Sequence, residues 1–174
     1  PYISVAQVQA MTFVADTSDD YDGKYFIIYD ADNNGYAVWF DMDNSGTTAP
    51  YPTGMGLTSV EISASVTGDS AINIAGDVAT ALHALDAFSA VNGGTATVTI
   101  THATAGKCKD IDLATMNTAP ALAAGTVSFS TTTIGSKNDY SALDDRELAT
   151  NQNSSSVVSV DKSGNVGIGA AVPT

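Results

Sequence analysis

The sequence predicts an α+β protein: an antiparallel β-sheet with one helix packed on a face, followed by a C-terminal β-hairpin extension. Three observations predict it. Several short segments alternate apolar and polar residues, the period of a half-buried strand. One stretch, residues 69–94, carries its apolar residues at the helical period instead. The acids are nearly all Asp, a turn residue, with Glu only at Glu61 and Glu147.

"MTFVAD", "KYFIIYD" and "YAVWFD" are rich in β-branched and aromatic residues and read as the first three strands. Asn34 and Gly35 form the pair most favoured for a two-residue hairpin turn. With that turn, Asp30 faces Trp39, Tyr29 faces Phe40, Ile28 faces Asp41 and Ile27 faces Met42. One face then collects Ile27, Tyr29, Ala31, Val38, Phe40 and Met42 for a core. The other sets Phe26, Ile28 and Trp39 beside Asp30, Asp32, Asp41 and Asp43, an acidic face.

"VEISASV" reads as a fourth strand, with Ile62, Ala64 and Val66 on one side. The helix follows, its stripe made of Ile74, Val78, Ala81, Leu82, Leu85 and Phe88. Asp69 or Ser70 caps its start, and Asn92, Gly93 and Gly94 supply a stop. His83 falls opposite the stripe and is expected in solvent. "TATVTIT" then turns Ala96, Val98 and Ile100 inward, and "TVSFSTT" repeats the pattern around Val127 and Phe129. The body is therefore expected to run β-β-β-β-α-β-β.

Residues 1–135 form this body, 136–156 a polar connector and 157–174 a β extension. In the connector, Leu143 and Leu148 are the main apolar residues, and Ser141 with Asp144 suits the start of a short helix. The extension is strand–turn–strand with its bend at Ser163 and Gly164. Residues 104–125 show no clear period; they read either as an arm reaching a neighbouring subunit or as a surface loop.

A chain of 174 residues is one domain with room for an extension. At this size a domain buries roughly 70% of its unfolded surface, so a core forms without covalent staples. The 19 acids against 6 Lys plus Arg give a net charge of −13, which repels nucleic-acid phosphates and anionic lipid. No stretch reaches the ~20 apolar residues of a membrane span. No signal peptide is visible, so synthesis in the cytoplasm is expected.

The chemistry the residues offer is sparse. Asp30, Asp32, Asn34, Gly35 and Asp41 match the spacing of a calcium loop. That loop needs a bidentate Glu where Asp41 stands, and it needs "AVWF" to wrap an ion rather than extend. The hairpin is the better reading, with Asp30, Asp32, Asn34 and Asp41 retained as weak metal candidates on the acidic face. Cys108 stands between Lys107 and Lys109, which would lower its pKa, but no base lies at a recognisable spacing. It reads as an incidental loop thiol. His83 and His102 stand in no zinc or nucleophile–base motif, and "GNVGIG" precedes no helix that could present amides to a phosphate. No catalytic residue and no cofactor is expected.

Two stretches carry a resemblance. "GKYFIIYDADNNGYAVWFDMDNSGTTAP", "VEISASVTGDSAINIAGDVATALHAL" and "GGTATVTITHATAGKCKD" together resemble a module of bacteriophage virion proteins, over residues 8–135. "VVSVDKSGNVGIGAAVPT" is similar to an element of phage tail fibres and tailspikes, through Asp161, Gly164, Asn165, Val166, Gly167, Ile168, Gly169 and Pro173. In such fibres the element lies in or near a trimeric β region, whereas this sequence stops at Thr174. Gly167 and Gly169 would permit close backbone approach at a symmetry axis, and Val158, Val160, Val166 and Ile168 offer an apolar strip. An ordinary terminal hairpin fits the same residues.

The resemblance implies a non-enzymatic structural subunit of a virion: a tail fibre, head fibre, capsid decoration or tail-associated protein. Its partners would be other copies of itself, as a trimer, other virion proteins and a host-surface glycan. Val158, Val160, Val166, Gly167, Ile168 and Gly169 would carry assembly. Two alternatives stand beside it. One is a polymerising bacterial cell-surface filament subunit that donates its C-terminal segment as a strand. The other is a calcium-dependent or carbohydrate-binding adhesin.

Overall fold

In chain order the elements are β1 (Ala6–Phe13), β2 (Tyr25–Tyr29), β3 (Gly35–Phe40), β4 (Thr58–Ile62), α1 (Ala71–His83), β5 (Phe88–Val91), β6 (Thr97–Ala105), β7 (Val127–Thr133), β8 (Val157–Val160) and β9 (Val166–Gly169). The computed structural model describes residues 4–43, 49–51, 54–111, 122 and 125–137, together with the backbone of 157–160 and 166–169. The chain divides into two units, Pro1–Lys137 and Asn138–Thr174.

The first unit is α+β, as expected, but it holds two sheets rather than one. An antiparallel sheet has the order β5-β6-β1-β7. A three-stranded sheet, β2-β3-β4, pairs β2 and β3 antiparallel but β3 and β4 parallel. Val98, Ile100 and Val127 point into the core as their alternation predicts, with Phe129 half-buried at its margin. Helix α1 packs on β1, β4, β5 and β6, and buries Ile74, Val78 and Leu82. The main core lies among these elements, joining Met11, Phe13 and Phe88 to Phe26, Ile28, Val38, Phe40 and Ile62.

Ser70 is the N-cap of α1: its side chain accepts the Asn73 amide at 3.3 Å. The helix ends at His83, which is exposed as expected, and not at Asn92. Phe88 continues the helical stripe in sequence but starts β5, a strand the periodicity absorbed into the helix. Asn92, Gly93 and Gly94 make the β5–β6 turn instead, with both glycines at positive φ. β4 also ends early. After Ile62 the chain leaves the sheet; Ser65 turns inward to donate to Asp77 of α1 at 2.6 Å, and Val66 is exposed.

The largest correction concerns the β2–β3 hairpin. Trp39 faces Tyr25 and not Asp30, so the register is slipped by five residues from the two-residue turn. Residues 30–34 form the loop, Asn33 takes the left-handed conformation at φ 66°, and Gly35 is the first residue of β3. An odd slip exchanges faces. Phe26, Ile28, Val38 and Phe40 now face the main core, while Tyr25, Ile27, Ala37 and Trp39 form a second cluster. Ala49, Tyr51 and Leu57, from the connection to β4, cover that cluster. Among the described residues this hairpin presents no acidic face: both its sides are apolar and covered.

In the second unit, β8 and β9 pair antiparallel as the expected hairpin, with Val158 opposite Ile168, Ser159 opposite Gly167 and Val160 opposite Val166. The expected assembly residues Val158, Val160, Val166, Gly167, Ile168 and Gly169 all fall on these strands. The bend at Ser163 and Gly164, most of the 136–156 connector and most of residues 112–124 lie outside the described residues. No described helix is long and apolar enough to cross a membrane.

Candidate functional site

The inward positions of β1 run Gln7, Gln9, Met11 and Phe13, all buried. The core therefore begins with two carboxamides, and each needs a partner. On the neighbouring strand β6, the inward series Val98, Ile100 and His102 brings an imidazole to the same end. His102 Nε2 lies 3.0 Å from Gln9 Oε1, and its ring meets Phe88 edge-on at 5.3 Å. Beyond β6 the chain folds back so that Cys108 Sγ lies 3.1 Å from His102 Nδ1. Gln7 accepts the Cys108 amide at 3.0 Å and donates to its carbonyl at 3.4 Å.

The polarity of this chain follows from its ends. Gln9 Oε1 can only accept, so Nε2 carries the ring proton, and Nδ1 is left as the acceptor for the Cys108 thiol. Burial disfavours both charged forms. It lowers the His102 pKa against the opposing field of Asp30, and it pushes the Cys108 thiol up to about 11, with Asp30 and Asp32 adding to the rise. The loop thiol of the sequence is thus a buried one with a base at hydrogen-bond distance. The flanking lysines do not activate it: Lys109 Nζ sits 4.5 Å from the centre of the Tyr29 ring. Burial thus favours a neutral thiol facing a neutral imidazole, the pairing of a structural contact.

The metal candidates separate. Asp30 and Asp41 lie at opposite ends of β3, so they cannot share an ion. Asp30 is spent on its own loop: Oδ1 accepts the Asp32 and Asn34 amides, each at 2.9 Å, and Oδ2 accepts Asn34 Nδ2 at 2.8 Å. Asp41 groups instead with Asp22 and Asp43, their carboxylate oxygens within 4.8 Å of one another. Such a set suits a hard cation such as Ca²⁺. Asp22 also has a local role, accepting the Met42 amide at 2.8 Å. The sequence reading missed Asp22, since only the true hairpin register brings the β1–β2 connection beside the end of β3.

Many of the acids share that local role. Asp16, buried, accepts the Asp20 amide at 2.7 Å and the Gly68 amide at 2.9 Å. Asp69 accepts the Val66 amide and Asn73 Nδ2. The preference for Asp over Glu is thus explained by turn geometry at these positions. No protein-family model, curated protein or solved structure matches this chain.

Proposed function

We propose that the chain is a non-enzymatic structural subunit of a bacteriophage virion, of fibre, head-decoration or tail-associated type, which assembles with copies of itself. The observation that carries this reading is the β8–β9 hairpin. Two four-residue strands make a hairpin that is marginal alone and calls for a partner. Glycines at 167 and 169 suit close approach of identical strands about a symmetry axis. The resemblance of "GNVGIG" to the fibre element supports the same assignment.

The buried thiol–imidazole pair also favours a non-enzymatic role, because its protonation states are those of a structural contact. Electron microscopy of intact phage particles with an antibody or tag on this chain tests the reading. A regular, symmetric position on the particle is expected. Particles that lack the chain, while the protein is found free or on the host envelope, would overturn it.

A further inference from the structure

Residues 106–111 cross the polar end of the four-stranded sheet without joining a ladder beyond Gly106. Ile111 reaches the main core and Lys109 lies over the Tyr29 ring; among the described residues the polar attachments of the segment are four. The Gly106 amide donates to the Val5 carbonyl at 3.2 Å, Gln7 grips the Cys108 peptide, and Thr131 donates to Asp110 at 2.8 Å. The fourth is the Cys108 thiol on His102. Gln9, Asp110, Ile111, Phe129, Ser130 and Thr131 line an open surface cleft of about 340 Å³ beside the segment. A segment held by isolated side-chain bonds opens at lower cost than the sheet it covers.

We propose that residues 106–111 form a proton-released latch: protonation of His102 detaches the segment and uncovers the Cys108 thiol. The neutral ring closes the latch best, because its Nδ1 accepts the thiol proton, whereas an N–H in that place has only the weakly accepting sulfur to meet. A second ring proton sets an N–H donor against the thiol at 3.1 Å and places a cation among buried neutral groups. Among the described residues, the groups facing the ring are Gln9 from β1, Phe88 from β5 and Cys108 from the segment, none charged while the thiol keeps its proton. Among the described residues, Asp30, in the β2–β3 loop, is the acid whose field reaches the ring and favours the cation; burial outweighs it. Lys109, on the same segment, is engaged with Tyr29.

Opening therefore takes up a proton. The imidazole is neutral when closed and titrates near its ordinary value of about 6.5 when released to water. Closure is fully favoured above that value. As pH falls below it, the opening equilibrium grows about tenfold per pH unit until the closed state itself protonates.

Cys108 is the single cysteine and Trp39 the single tryptophan, so one chain reports both events. The test measures the rate at which 4,4′-dithiodipyridine modifies the full chain between about pH 7.5 and pH 5. Each rate is divided by that of an unstructured cysteine peptide at the same pH, and Trp39 emission is recorded in the same samples. The ratio is expected to be flat above about pH 6.5 and to climb about tenfold per unit below it, with Trp39 emission still native. His102→Gln removes the pH dependence, whatever the level of the ratio. Should that variant fail to fold, Gln9→Glu sets a carboxylate on Nε2, stabilises the imidazolium in the closed state, where the pair is buried, and so flattens the rise. A ratio independent of pH in the parent chain overturns the proposal. So does a rise that appears only together with loss of the Trp39 signal, or an unchanged slope in His102→Gln.

Discussion

Gln7 holds both polar groups of the Cys108 peptide, 101 residues away in sequence: its Oε1 accepts the amide at 3.0 Å and its Nε2 donates to the carbonyl at 3.4 Å. A carboxamide in a core strand here does the work of a missing strand neighbour. It lets the chain cross the end of the sheet with its backbone groups satisfied.

Gln7→Ala leaves that amide and carbonyl buried without their partner. The expected loss is about 3 kcal/mol, read from the shift in urea midpoint at neutral pH with Trp39 emission as the probe. A loss below about 0.5 kcal/mol would mean the segment is satisfied by water instead.

Gly135 is buried where the chain after β7 returns to the start of β1. A Cβ at this position would collide with the Gly106 carbonyl and sit 2.9 Å from the Gln7 nitrogen, both backbone atoms. Gly135→Ala should cost about 3 kcal/mol or more. Gly76, inside α1, meets nothing closer than Asn92 Nδ2 at 3.4 Å, so Gly76→Ala should stabilise by about 0.5–1 kcal/mol. Thermal melts of the two variants should therefore move in opposite directions.

Asp30→Ala removes the acceptor for two loop amides and should cost about 1 kcal/mol at neutral pH. Burial alone would raise the pKa of Asp30, but its bonds from Asn34, Asp32 and Tyr36 outweigh burial and hold it below the ordinary carboxylate range. A depressed folded pKa means that the contribution is present above the unfolded value, about 3.9, and is lost as pH falls through the folded one. Parent and variant should converge in acid, and Ca²⁺ should leave their difference at neutral pH unchanged. A difference that grows with Ca²⁺ would return this loop to the metal-binding reading.

Where one side of an element met the core and the other met water, its residues were legible in the sequence. Val98 and Ile100 alternate, Ile74, Val78 and Leu82 share a stripe, and Ser70 caps the helix as its type predicts. The β2–β3 register was not legible, for a physical reason. Tyr25, Ile27 and Trp39 are buried on one side and Phe26, Ile28 and Val38 on the other, so alternation carries no information about facing. The Asn34 and Gly35 pair then imitated a two-residue turn, while the conformational demand fell on Asn33. β1 was seen only from Met11 onward because its earlier inward residues are Gln7 and Gln9. Their place in the core has its reason only once His102 and Cys108 stand beside them. The Cys108–His102 pair was equally hidden, because the five residues between them end a strand and turn the chain back on itself.

The measurement that bears most directly on self-assembly is light scattering at low micromolar concentration, comparing the full chain with a variant lacking residues 154–174. The full chain should scatter as a discrete homo-oligomer, a trimer by resemblance to the fibre element, and the deletion should reduce it to a folded monomer with native Trp39 emission. A full chain that is monomeric, with a mass per particle unaltered by the deletion, would contradict assembly through β8 and β9.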